Sequence, residues 1–147
     1  MRIFIDADGS PVVNLAIDIA QDYNLDVIIV KNYAHQIKSD YAEVISVDVS
    51  SDSADYYIVN HLEKGDIVVT QDYGLAALCL SKETYPINQN GLIYTEDNIS
   101  GVLDRRYIHA KLRNEGMRHT NAKKRKVEDD RNFKLSFIEL IENLINN

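Results

Sequence analysis

Residues 1–20 read MRIFIDADGSPVVNLAIDIA, and this stretch decides the fold. Ile3 to Asp6 is a short apolar run that starts almost at the first residue, the pattern of a buried strand. Asp8 or Ser10 can cap a helix whose first position is Pro11, where the missing N–H costs nothing. Val12, Val13, Leu15, Ala16, Ile19 and Ala20 then recur at helical spacing, and Asn24 supplies a stop.

Working outward, the alternation continues. DVIIVK (26–31) is a second strand rich in β-branched residues, and residues 33–42 form a short helix or a loop. VISVDV (44–49) is a third strand. The polar SSDSAD leads into a helix over 55–64, which Gly65 stops. IVVT (67–70) is a fourth strand, residues 73–82 a helix, and YPIN (85–88) a fifth strand. Asn90-Gly91 signals a turn, with LIYT as a possible short strand after it. Residues 97–114 look helical. A basic loop follows near 115–126, and Phe133, Phe137, Leu140, Ile141 and Leu144 mark an amphipathic closing helix over 128–145. Short apolar strands alternating with helices predict one α/β domain over 1–147, with a mainly parallel sheet between two helical layers.

Such sheets bind ligands beyond the carboxyl ends of their strands, and the acids gather there. Asp6 ends strand one and Asp8 follows it. Asp72 follows strand four, and Asp52 and Asp55 lie where strand three passes into the next helix, on one face if that turn is helical. Neighbouring carboxylates raise each other's pKa, and a divalent cation removes the conflict. Mg²⁺ or Mn²⁺ takes oxygen ligands and bridges readily to phosphate. Two such ions roughly 4 Å apart suit in-line attack of water on a phosphodiester. Each acid also has a plainer reading: Asp8 as a helix cap, Asp52 as a cap or turn residue. Asp48 is an outside candidate. Asp66 precedes strand four and belongs to the opposite edge.

Charge adds a second element. The chain carries −7 overall, yet residues 105–126 hold nine of its sixteen Lys and Arg with Glu115 as the only acid, +8 against −15 for the rest. An acidic metal pocket beside a basic segment suits a phosphate-bearing partner. Arg106, Arg113, Lys123, Lys124 and Lys126 are the candidate nucleic-acid contacts. The plainer reading is a solvated basic loop. No apolar run approaches the roughly 20 residues of a membrane helix and no signal peptide is expected, so a cytoplasmic protein is expected. Cys79 sits in the apolar LAALCL pattern and reads as core. The four histidines show no metal-ligand spacing.

IFIDADGS is similar to the nucleophile motif of haloacid-dehalogenase-type phosphatases, which would make Asp6 a phosphorylated nucleophile. Ser10 departs from that pattern, and Asp66 comes before its strand rather than after it. Over most of its length the sequence resembles the YaiI/YqxD-like family of bacterial proteins, similar in turn to PIN-like, NYN-type nuclease domains. The resemblance rests on Asp6-Ala7-Asp8 with Pro11-Val12, on Asp52 and Asp55, and on GDIVVTQD (65–72) with Leu75-Ala76. Asn88, Gly91, Tyr94-Thr95, Asn98-Ile99, Arg106, Leu112-Arg113 and Asp129-Asp130-Arg131 with Phe133 extend it. It implies a PIN-like three-layer α/β/α sandwich. It also implies a metal-dependent nuclease acting on single-stranded RNA, with Asp6, Asp8, Asp55 and Asp72 catalytic and Asp6, Asp55, Asp72 and Asp52 around Mg²⁺ or Mn²⁺. Ser10 stands where the family usually has Cys, Asn90-Gly91 where it has Arg-Gly, and residues 119–126 replace its Gly-rich segment. A non-catalytic nucleic-acid or protein binding domain is the alternative from a different class.

Overall fold

The central sheet has five strands, all parallel, in the order β3-β2-β1-β4-β5. The computed structural model describes residues 1–32, 36–50, 52–101 and 124–147. The elements are β1 (Arg2–Asp6), α1 (Val13–Asp22), β2 (Asp26–Asn32), β3 (Glu43–Val47), α2 (Ser53–His61), β4 (Ile67–Val69), α3 (Tyr73–Ser81), β5 (Tyr85–Ile87) and α4 (Val127–Ile145). Residues 96–101 are helical, and the rest of the helix expected to 114 lies, with most of the basic loop expected near 115–126, outside the described residues.

The strand order places β1 in the middle. The chain steps outward to β2 and β3, then returns to the other side of β1 for β4 and β5. The carboxyl ends of β1 and β4 are thus the point where the direction of winding reverses, and a crevice opens at such a point. In register, Ile5 faces Ile29 on one side and Val69 on the other.

Side chains of β1 alternate between two apolar layers, as a pleated strand requires. Ile3 and Ile5 pack with α1 and with Phe133, Phe137 and Ile141 of α4, whereas Phe4 packs with Ile58 of α2 and with Leu75 and Cys79 of α3. Helices therefore cover both faces, and the architecture is a three-layer α/β/α sandwich. Each fully buried Ile or Phe contributes roughly 2–3 kcal/mol. Cys79 lies within the second layer, as its apolar setting predicted, and burial pushes its thiol up to about 12.

Most element boundaries agree with the sequence reading, and the differences have local causes. Asn24 does end α1. It adopts φ 54° while its N–H and that of Leu25 bond back to Gln21 and Ala20, a Schellman closure. The start of α1 differs: it begins at Val13, with Pro11 in the preceding turn and no side-chain cap. Asp8 is not that cap; its carboxylate accepts the Asn32 N–H at 3.1 Å instead. Helix α2 ends at His61 rather than 64, because Leu62 turns to extended backbone and buries its side chain; Gly65, at φ 91°, then turns the chain into β4. Residues 36–42 hold no helix, and Ile93 makes only an isolated antiparallel bridge to Ile87.

Helix α4 is fixed to the sheet's far edge by close packing. Gly91, at φ 89°, lies under the helix: a Cβ there would sit 2.6 Å from the Asn132 carbonyl oxygen. Ser136 Oγ donates to the Gly91 carbonyl at 2.6 Å, and the Arg125 guanidinium donates to Asn90 Oδ1, the Gln89 carbonyl and Asp130. No helix among the described residues is long and apolar enough to cross a membrane.

Candidate metal centre

A cleft of about 230 Å³ opens at the reversal point, lined by Asp6, Asp8, Asp48, Asp55 and Asp72 with Asn32, Val47, Val49, Ser50 and Ala54. Asp6 is the last residue of β1, Asp72 the cap of α3 just after β4, and Asp55 sits in the first turn of α2. The fold thus brings together Asp6, Asp8, Asp55 and Asp72. Asp48, the outside candidate, joins them. Asp52 occupies the N-cap of α2, makes no side-chain cap bond and is exposed outside the lining residues, although its charge acts on Asp55.

Thr70 organises the centre, and the sequence reading passed over it. Its buried hydroxyl donates to Asp6 Oδ2 at 2.8 Å and accepts the Asp72 N–H at 3.0 Å. One side chain therefore ties the acid of β1 to the acid after β4. The available signal was a hydroxyl closing an apolar strand two residues before Asp72. Asp72 is oriented further by its role as cap: Oδ1 accepts the N–H groups of Gly74 and Leu75 at 2.8 and 3.1 Å. Gln71 Nε2 donates to the Gly9 carbonyl at 2.9 Å and pins the loop that carries Asp8.

The electrostatics record the crowding. Burial raises the Asp6 carboxyl to about 6; the Thr70 hydrogen bond opposes this, and the charges of Asp72 and Asp8 add to it. Burial raises Asp55 to about 7, reinforced by the charges of Asp72 and Asp6, a hydrogen bond to the Asp72 side chain and the charge of Asp52. A helix N-terminus favours an anion by roughly 0.3–1 kcal/mol, and at Asp55 that attraction is outweighed. None of the described residues that line the cleft is basic.

Among the described residues, no group of three or more His, Cys, Asp or Glu side chains is gathered closely enough to hold a metal ion as it stands. The donor chemistry nevertheless fits a hard divalent cation. All the candidate ligands are oxygens, three chain segments supply them, and a cation relieves the repulsion between neighbouring carboxylates.

The basic candidates divide. Lys124 and Lys126 are exposed just before and at the cap of α4, while the neighbouring Arg125 is occupied in holding that helix. Arg106, Arg113 and Lys123 lie outside the described residues. His61 stacks on Tyr57 near the end of α2, at the opposite end of that helix from Asp55.

Residues 4–143 match the model of the family described as "Uncharacterized BCR, YaiI/YqxD family". A protein of Natranaerobius thermophilus named UPF0178 protein is 47% identical over 141 residues, covering 96% of each chain. The UPF0178 proteins of Alkaliphilus oremlandii and Enterococcus faecalis are 44% and 42% identical, each over 97% of this chain and over 92% and 98% of their own. No solved structure matches the chain.

Proposed function

The chain belongs to the YaiI/YqxD family, and on that premise we propose that it is a divalent-metal-dependent nuclease that hydrolyses phosphodiester bonds in nucleic acid, with single-stranded RNA the first substrate to test. The observation that carries this reading is the convergence of Asp6, Asp55 and Asp72 from three segments into one cleft at the reversal point of the sheet. A structural role explains such a cluster poorly, because burial, reinforced by the neighbouring acids' charges, raises Asp6 and Asp55 and so disfavours their ionised state.

Asp6, Asp55 and Asp72 would hold Mg²⁺ or Mn²⁺, with Asp8 and Asp52 at the margin. Bound there, the ion supplies charge neutralisation at the phosphate and lowers the pKa of a coordinated water. The chain's own groups do the positioning. Thr70 fixes the Asp6 carboxylate and the backbone of Asp72. Asp8, held by the Asn32 N–H, faces the same cleft and would orient the attacking water. Lys124 and Lys126, with Arg106, Arg113 and Lys123, would hold the phosphate backbone, which confers affinity and salt dependence without sequence preference.

A phosphoaspartyl route through Asp6 is less well supported. Its nucleophile has to be ionised, whereas burial raises Asp6, and Asp66 lies at the other edge of the sheet. The test is Mn²⁺-dependent cleavage of a labelled single-stranded RNA by wild type and by the double variant Asp6→Asn/Asp72→Asn. Asn retains the cap of α3, so loss of cleavage with an unchanged circular dichroism spectrum is expected. Undiminished cleavage by the double variant overturns the assignment. Salt-sensitive RNA binding by wild type without turnover would support the non-catalytic binding reading instead.

A further inference from the structure

Helix α4 carries two apolar stripes. One faces the core through Phe133, Phe137, Leu140 and Ile141. The other faces outward: Val127 is 79% exposed, Leu135 61% and Ile145 49%, with Ile138, half-buried and packed on its inner side against the core, at their margin. At 100° per residue these four fall within one sector of the helix, together with Arg131 and Glu142. Val127 and Leu135 are among the four most exposed large hydrophobic side chains of the described residues.

The outward stripe is complementary to itself when reversed. Set antiparallel about a point between residues 136 and 137, it places Arg131 opposite Glu142 and Leu135 opposite Ile138, with Val127 one residue out of step with Ile145. A two-fold axis repeats each of these pairings. Apolar groups meet apolar groups, and each cation meets an anion on the same flank. Glu142 is already oriented, because the Tyr23 hydroxyl donates to its Oε1 at 2.6 Å. We propose that this face of α4 docks against the same face of a second copy of this chain, forming an antiparallel two-fold helix pair. An isologous interface requires such self-complementarity, whereas a solvated helix face does not.

The footprint sets the strength. The 19 residues of α4 span about 28 Å at 1.5 Å per residue, and a helix is about 10 Å across. That is smaller than the roughly 800 Å² per partner of a standard stable interface, so the dimer is of the weak, concentration-dependent kind. The candidate metal cleft is not needed for this pairing.

Sedimentation equilibrium of the full chain from about 5 to 500 μM tests it, with wild type, Leu135→Lys, Arg131→Glu and the swap Arg131→Glu/Glu142→Arg. The altered side chains are exposed, and circular dichroism checks that each variant folds. The expected result is reversible dimerisation of wild type, weakened at least tenfold in Leu135→Lys and in Arg131→Glu, and restored in the swap. A wild type that stays monomeric across the range overturns the proposal, as does a dimer that both single variants leave unchanged. A swap that remains as weak as Arg131→Glu refutes the antiparallel register.

Discussion

The two ends of β4 carry acids of opposite character. At its amino end, Asp66 is 2% exposed and fully engaged. It accepts the Arg2 N–H at 2.9 Å, the Arg2 guanidinium at 3.0 Å and the Glu63 N–H at 2.8 Å. At its carboxyl end, Asp72 meets Asp6 and Asp55 in a cleft with no cation among its described lining residues, and two of the three carboxyls are pushed up to about 6 and 7. The first acid is buried with its partners and holds the fold together. The others are half-buried beside one another, and Asp6 and Asp55 are raised there. The difference teaches that burial alone does not set an acid's state; what lies beside it does, since Arg2 and two N–H groups satisfy Asp66 whereas like charge adds to burial in raising Asp6 and Asp55.

This comparison can be broken by substitution. The largest effect on stability is expected at the satisfied end. Asp66→Ala leaves two N–H donors unsatisfied and takes one partner from the Arg2 guanidinium, which keeps the His61 carbonyl, and should cost about 2–3 kcal/mol in urea unfolding. That lies below the fully buried ion-pair range because Arg2 is partly solvated. A loss near zero would mean that the two ends do not differ as described.

Thr70→Val should come next. It removes the donor to Asp6 and leaves the Asp72 N–H unsatisfied, at about 1–2 kcal/mol. It should also raise the Asp6 carboxyl further, since the Thr70 hydrogen bond is what lowers it; carboxyl titration by NMR reads this shift. Thr70→Ser should restore both. Equal behaviour of the Val and Ser variants would remove Thr70 from its positioning role.

The smallest effect has the opposite sign. Asp55→Asn should stabilise the metal-free protein at pH 8 by about 1 kcal/mol, after discounting for the solvent exposure of this group, and change little at pH 4. The sign follows from linkage. With folded pKa values above those of the unfolded chain, the native state binds more protons between about pH 4 and 7, so stability falls as pH rises through that window and levels off above it. Asp55→Asn should flatten that slope. A wild type that gains stability from these acids between pH 4 and 7 would contradict the account.

The sequence was legible where local chemistry dictates the outcome. Apolar strands alternating with helices gave the layers, and the position of each acid relative to its strand gave the edge, so Asp6 and Asp72 could be separated from Asp66 before any coordinates. Asn24 was readable as a stop because few side chains tolerate positive φ. What could not be read depends on long-range partners. Asp8 had the spacing of a cap, yet its bond goes to Asn32 on the neighbouring strand, a pairing that only the sheet order creates. Thr70 looked like the end of a strand and is the bridge between two acids, one of them 64 residues from it in sequence and the other two. Arg125 was indistinguishable from its basic neighbours until its contacts with Gln89, Asn90 and Asp130 appeared.

The central claim is that the acids at the carboxyl end of β4 await a cation that the acid at the amino end does not need. The most direct measurement is calorimetric titration with Mn²⁺ at pH 6 and pH 8, in buffers of differing ionisation enthalpy, on wild type, Asp6→Asn and Asp72→Asn. The account predicts saturable binding by wild type, tighter at pH 8 than at pH 6 and accompanied by proton release, because the ion replaces protons held by the raised carboxyls. It predicts loss of that binding in both variants. Absence of binding at pH 8, or binding that both variants leave intact, would contradict it.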